Sequence, residues 1–291
     1  MLRIYEPLYR QDQQQQEPLF LPLPLRQNDF AWREFRIYVD MYRQNLHRGA
    51  GHCGVFSPKF PLKSRISTQE FLDFCGSNAD VDVCFFNPFP QVRYVAYNVW
   101  NQGEPWHPGL GAAAQSLLDA AGIGWKIDQV PRQGAAHLSY SNFWVANEQF
   151  WDAYVGGILL PIADLLEHEP EHPAARAVMV PTYHTDTATY LPFIIERLFS
   201  TFLSLHSEFS SKAFPIENVL PYCICPSEQS LVLQMKPAVD AADRSGVYTE
   251  QLIESLRHAA WSNTQQAKLY FQKYPHPHSG KTIPVDPNQV S

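Results

Sequence analysis

The chain has 291 residues, 45% of them hydrophobic, enough for one large domain or two small ones with a substantial core. Its formal charge is −7 and no stripe of Lys and Arg runs along it, so a nucleic-acid backbone is not an expected partner. No apolar run reaches the roughly 18 residues of a membrane-spanning helix, and none is expected.

The N-terminus, Met1-Leu2-Arg3-Ile4, lacks the basic-then-apolar pattern of a secretory signal. Cys53, Cys75, Cys84, Cys223 and Cys225 are odd in number and mostly set among apolar residues, as in a reduced, cytoplasmic protein. Cys223-Ile224-Cys225 has neither zinc-ligand spacing nor a second ligand pair.

Leu2 to Tyr9 reads as a first strand. Gln13 to Gln16 is a polar loop, and Leu19 to Leu25 alternates with prolines that hold it extended. Asp29 is placed to cap a helix over Phe30 to Asn45, where Trp32, Phe35, Val39 and Tyr42 recur at helical spacing. His52 to Phe56 is a second strand. Ser67 or Thr68 caps a short helix with Glu70 in its first turn. Val81 to Phe86 is the next strand, and Leu110 to Ala121 is a helix stopped by Gly122.

Trp125 to Ile127 reads as a strand. So does Ser139 to Ala146, which runs into a helix from Glu148 to Leu166 that Pro161 must kink or split. His168 to Pro173 is a loop. Leu191 to Ser207 carries a wide apolar face and is the clearest helix. Leu220 to Cys225 reads as a late strand and Tyr248 to Lys273 as a terminal helix. Strands and helices alternate through the first half. That predicts an α/β fold with a mostly parallel central sheet flanked by helices, in one domain with a C-terminal helical appendage.

Several segments carry groups suited to chemistry. Asp80-Val81-Asp82 puts two carboxylates on one side of an extended segment, where they can hold a divalent cation. They precede their strand, however, whereas ligands in open α/β sheets gather at the carboxyl ends, nearer Asn87. The stretch from Asn98 to His107 sets Asn98, Gln102, Glu104 and His107 between Trp100 and Trp106. Glu104 and His107 suit a general base and its partner, and the tryptophans suit a sugar ring. Otherwise the stretch is a surface loop satisfying its own backbone. Lys59, Lys63 and Arg65 form a basic cluster beside a strand end, suited to a diphosphate or simply solvated. Asn142 sits on a strand between aromatics. Glu196 and Arg197 interrupt an apolar helix, and His184 and Asp186 are a weaker metal pair. No nucleophile elbow, P-loop, Rossmann fingerprint or H-E-x-x-H motif is present.

Read together, Gly54-Val55-Phe56-Ser57-Pro58-Lys59-Phe60, Asp82-Val83 with Phe86-Asn87-Pro88, Asn98 with Gln102-Gly103-Glu104 and His107-Pro108-Gly109-Leu110, and Ser141-Asn142-Phe143-Trp144-Val145-Ala146 form an ordered set. This set resembles a bacterial glycosyltransferase-like family of surface polysaccharide and O-antigen gene clusters. Pro192-Phe193 to Glu196-Arg197-Leu198-Phe199 is similar to the acceptor-side helix of GT-A sugar transferases. The resemblance spans about residues 4 to 205. It implies a GT-A-like (Rossmann-like) catalytic domain over residues 1–210, with residues 211–291 packed on it.

It also implies a nucleotide-sugar donor and a glycan acceptor. Glu104, His107 and Glu196 are then the catalytic candidates. Lys59, Asn87, Asn98 and Gln102 fall to the donor, Trp106 and Asn142 to the acceptor, and Asp80 and Asp82 to a Mn²⁺ or Mg²⁺ ion. The alternative is a carbohydrate- or protein-binding module on the same scaffold, without catalysis.

Overall fold

Alternating apolar side chains bury both faces of the central sheet. The computed structural model describes residues 1–10, 12–25, 31–182, 188–277 and 279–283. Its strands are β1 (Leu2–Leu8), β2 (Leu21–Pro24), β3 (His52–Val55), β4 (Val83–Phe85), β5 (Trp144–Ala146), a separate ribbon of β6 (Pro181–Thr182) and β7 (Ala188–Thr189), and β8 (Ser211–Ala213). The six-stranded sheet has the order β2-β1-β3-β5-β4-β8. β1 is parallel to β2 and β3, and β4 is parallel to β8. β5 alone is reversed, antiparallel to both β3 and β4. The mostly parallel α/β architecture expected from the sequence is present.

The helices are α1 (Glu34–Arg43), α2 (Phe60–Ser64), α3 (Thr68–Ser77), α4 (Val99–Gly103), α5 (Leu110–Ala120), α6 (Glu148–Trp151), α7 (Leu160–His168), α8 (Pro173–Val178), α9 (Tyr190–Leu205), α10 (Pro226–Ser245) and α11 (Glu250–Phe271). Strand periodicity sorts side chains between two cores. Val83 and Phe85 of β4, with Trp144 and Ala146 of β5, join α1, α5, α7 and α9. Cys84, Phe86, Phe143 and Val145 join Phe60 of α2 and Phe71 of α3. The Trp144 indole lies between the rings of Tyr38 (4.9 Å) and Phe199 (5.6 Å), clamping β5 between α1 and α9.

β3 and β5 approach so closely that a Cβ on Gly54 would sit 2.2 Å from the Trp144 carbonyl oxygen. Only glycine fits there. The two outer strands are short. β2 contains Pro22 and Pro24, and β8 has three residues with Lys212 exposed.

Local chemistry accounts for the helix ends. Ser67 accepts the Glu70 backbone N–H while the Glu70 carboxylate accepts the Ser67 N–H, a reciprocal capping box at the predicted place. The helix expected from Phe30 is helical over Glu34–Arg43, and its expected cap, Asp29, lies outside the described residues. The segment from Glu148 splits as Pro161 requires. A π-helical stretch, Asp152–Leu159, separates α6 from α7, which has Pro161 in its first turn.

Three expected strands differ. Trp125 to Ile127 leads into a 3₁₀ turn, Ile127–Gln129, because the Ile127 N–H donates to Gln115 rather than to a strand. Leu220–Tyr222 is also a 3₁₀ turn, with Pro221 lacking a ladder donor. Of Ser139 to Ala146, only the last three residues pair, because Ser141 and Asn142 turn left-handed just before them (φ 64° and 53°). The long helix α10 was not expected. It carries Pro237 in its interior, on the exposed side. It pairs with α11, burying Val239 and Leu256 against the turn Pro90–Tyr94.

Candidate functional site

The strand order fixes where a ligand can enter. β1 has β2 on one flank and β3 on the other, so the chain leaves its carboxyl end toward one side and later returns to the other. Such a switch opens a crevice beyond the carboxyl ends of the strands. Tyr9 follows β1, Ser57 and Lys59 follow β3, and Asn87 follows β4. Because β5 is reversed, its entry loop, Tyr140 to Phe143, reaches the same edge. Lys59, Asn87 and Asn142 therefore share one edge of the sheet. Lys59 is exposed there. The Asn87 side chain is turned onto its own loop, accepting the Phe89 N–H at 3.0 Å.

The Ser141-Asn142 corner is the most constrained part of this edge. Two successive non-glycine residues in the left-handed region are costly and persist only where contacts enforce them. Three side chains do so. Lys63 Nζ donates to Ser141 Oγ at 2.9 Å. The Ser141 N–H donates to Glu196 Oε1 at 2.8 Å. The Tyr38 hydroxyl donates to the Asn142 carbonyl at 2.9 Å.

Burial pushes the Lys63 ammonium below the usual lysine range, while Glu196 and Glu34 pull it back and Lys59 opposes them. Tyr140, next to the corner, is buried, and its hydroxyl has no partner among the described residues. Burial raises its pKa against the pull of Arg197, whose guanidinium lies 5.9 Å from the ring. The edge thus combines a desolvated ammonium, a carboxylate and a strained turn, the groups that charge neutralisation and proton transfer require.

Residues 98–107 are not a loop. They form α4 and the entry to α5. Asn98 is buried; its Oδ1 accepts the N–H groups of Trp100 and Asn101, and its Nδ2 donates to the Val130 carbonyl. Gln102 Oε1 accepts from Arg197 Nη2 at 2.7 Å. Arg197 is buried and also donates to the carbonyls of Val99 and Phe193.

Glu104 caps α5, accepting the Gly109 N–H at 2.6 Å and the Gly111 N–H at 3.0 Å. His107 is buried, stacks on Phe193 at 3.9 Å, and has Nδ1 3.2 Å from Thr182 Oγ1. Trp106 faces the C-terminal helix, with Lys268 Nζ 5.8 Å from its ring. Asn98 and Glu104 also line an open pocket of about 490 Å³, with Tyr97, Lys126 and Arg257. Of the predicted set, then, Lys59, Asn87 and Asn142 lie along the carboxyl edge, where Glu196 accepts the Ser141 N–H; Asn98 and Glu104 line this pocket, and Gln102, Trp106 and His107 do not.

The acidic pair sits at the opposite, amino end of β4. Asp80 is exposed. Asp82 accepts from the Ser210 N–H, the Ser210 hydroxyl and Asn147 Nδ2, each at 2.7 Å. Burial alone would raise its pKa, but these donors outweigh it and hold the carboxyl below its usual range. Its oxygens are engaged by hydrogen-bond donors rather than presented as ligands, so the pair does not fit a Mn²⁺ or Mg²⁺ site. His184 and Asp186 lie outside the described residues. Asp164, Glu167 and His168 come within metal-binding reach of one another. The two carboxylates there already hold Arg36 and Arg43.

Glu34 and Tyr38 were not singled out in the sequence. Their only signal was helical spacing beside Phe35, which marks a core face as readily as a site. No described helix is long and apolar enough to cross a membrane. No family model matches the chain, and no curated protein or solved structure is significantly similar to it.

Proposed function

We propose that the chain is a glycosyltransferase with a GT-A-like fold, moving a sugar from a nucleotide-sugar to a glycan acceptor in the crevice at the carboxyl ends of β1, β3 and β4. One observation carries this reading: Lys63, Ser141 and Glu196 form a connected, partly desolvated chain of hydrogen bonds at the switch-point edge. Transfer breaks the anomeric C–O bond to the diphosphate and forms a C–O bond to an acceptor hydroxyl. Negative charge grows on the departing diphosphate. Lys59, exposed after β3, and Lys63, on the Ser141 corner, would offset it. Glu196 would accept the acceptor's proton. No step is routed through a divalent ion, because Asp82 is engaged elsewhere.

The test is thermal stability of the purified chain against a panel of UDP-, GDP- and CMP-sugars, with and without Mn²⁺. A ligand that binds only the folded state must raise its apparent stability. A Mn²⁺-independent rise with one nucleotide family supports the proposal. No rise with any donor removes it.

A second reading, a carbohydrate- or protein-binding module without catalysis, draws on a different observation. Asn98, Gln102 and Glu104 are all used in internal hydrogen bonds. Glycan binding without donor turnover would favour it.

A further inference from the structure

The turn that follows α1 holds an imidazole that no step of the proposed transfer uses. His47 is 1% exposed, and neither ring nitrogen has a hydrogen-bond partner among the described residues. Its ring is stacked between Tyr42 of α1, at 4.9 Å and 12°, and Trp151 at the end of α6, at 5.3 Å and 15°. Its Nε2 lies 3.7 Å from Asp152 Oδ1, beyond hydrogen-bond range. That oxygen already accepts the Tyr42 hydroxyl at 3.1 Å and Arg48 Nη2 at 2.7 Å. Buried polar groups are normally paired, so an enclosed imidazole with both nitrogens unpaired calls for a physical reason.

The turn itself, residues 44–49, is fastened to the layer around that ring. Arg48 reaches Glu148 of α6 and Asp152 of the π-helical stretch, and the Gly49 N–H donates to Glu148 at 2.6 Å. Arg3 of β1 donates to the carbonyls of Arg48 and Gly49. Tyr42 lies so close to the π-helical stretch that a Cβ on Gly156 would sit 2.4 Å from its hydroxyl oxygen. The titratable and charged groups around His47 are therefore Tyr42 from α1, Arg48 from the turn, Glu148 from α6 and Asp152 from the π-helical stretch, with Arg3 of β1 on the backbone of the turn.

These groups respond differently to mild acid. The Gly49 N–H and Arg48 hold the Glu148 carboxyl below its usual range, so that fastening persists. Burial and the hydrogen bond to Asp152 raise the Tyr42 pKa, so its hydroxyl keeps its proton. The arginines stay charged. Burial pushes the His47 ring below the usual histidine range and Arg48 adds to this, against a partial pull from Asp152 and Glu148. A charged ring would have to share Asp152 Oδ1 with Arg48 and Tyr42. The fastened arrangement is thus favoured while the ring is neutral, above the unfolded value of about 6.5, and loses that favour as pH falls through the folded value.

We propose that the turn at residues 44–49 is an acid-released latch: one proton taken up by His47 frees it from α6 and the π-helical stretch while the rest of the fold stays closed. The latch goes beyond the transfer reading and does not depend on it.

The experiment is hydrogen exchange of the full chain, read by mass spectrometry and corrected for the intrinsic pH dependence of amide exchange, at about pH 7.5 and about pH 5, on either side of the histidine range. Protection of residues 44–52 should fall several-fold in acid, while that of β4 and α9 holds. His47→Phe keeps a ring in the stack and takes up no proton, so its protection there should be the same at both pH values. Should that variant fail to fold, His47→Gln makes the same comparison without a ring. Unchanged protection in the parent, an acid loss that persists in the folded variants, or a loss spread evenly over the whole chain would each overturn the proposal.

Discussion

Glu196 and Ser141 are joined through a 2.8 Å hydrogen bond from a backbone N–H to a carboxylate, linking α9 to the corner that leads into the one reversed strand. The same serine takes the Lys63 ammonium on its hydroxyl. A carboxylate and an ammonium are thus held on one residue, whose backbone those contacts keep in an unfavourable conformation.

Glu196→Gln should separate chemistry from architecture. The amide oxygen still accepts the Ser141 N–H, so the thermal midpoint should change little. Turnover of a donor, followed as nucleoside diphosphate released in the presence of acceptor, should fall by about 10²–10⁴-fold if Glu196 is the base. Unchanged turnover would assign that role elsewhere.

Asp82→Asn should act on stability instead. It weakens charge-assisted hydrogen bonds that hold β4 to Ser210 and Asn147, at a cost of about 1–3 kcal/mol in denaturant unfolding. Because the folded-state pKa is depressed, the parent keeps this contribution above the unfolded value of about 3.9 and loses it as pH falls through the folded value. The variant should therefore show a shallower acid limb. Mn²⁺ should leave the midpoint of both proteins unmoved; a rise confined to the parent would restore the metal reading.

Glu228 gives the opposite sign. It is buried in the first turn of α10, and burial raises its pKa, although the Ile224 N–H, Asn263 and Gln91 partly offset this. A carboxyl whose folded-state pKa is raised contributes its stability below the unfolded value and loses it as pH rises through the folded value. At neutral pH the charge is a burden. Glu228→Gln should raise the thermal midpoint at pH 7 by about 2 °C or more, the effect of roughly 1 kcal/mol in a chain of this size. The gain should vanish near pH 4. A lower midpoint at pH 7 would mean that the ionised form is needed by its three donors.

Gly103→Ala tests the packing around Arg197. A Cβ at Gly103 would lie 2.4 Å from Arg197 Nε and 2.6 Å from Leu110 Cδ2. Arg197 is fixed by the carbonyls of Val99 and Phe193 and by Gln102, so it cannot easily yield. Urea unfolding should show a loss of about 1–3 kcal/mol. A loss below about 0.5 kcal/mol would mean that the guanidinium has room to move.

Periodic elements were legible in the sequence. The apolar face of α9, the capping box at Ser67 and the split at Pro161 follow from local chemistry alone. The site was legible only in part. Lys63 and Glu196 are visible as candidate groups and Ser141 only as the neighbour of Asn142, but Lys63 lies 78 residues and Glu196 55 residues from Ser141, and no local pattern encodes that meeting. Asn98 and Glu104 misled for a physical reason. A carboxylate or amide that caps a helix has the same composition and Gly-Pro surroundings as one that binds a ligand, and only geometry tells them apart. α10 escaped because its outward side mixes polar residues with Leu233 and Ala238, which blurs the helical period, and Pro237 breaks the expected pattern.

The margins of the sheet also govern how one molecule meets another. At one side, Pro22 and Pro24 remove backbone donors from β2; at the other, β8 offers three residues and an exposed lysine. Neither margin presents the unbroken row of N–H and C=O groups that a strand from a second chain would need. Growth of the sheet from molecule to molecule, the route toward fibrils, is closed at both ends. Contact between copies is left to helical surfaces and loops, where side-chain complementarity rather than backbone pairing decides the outcome.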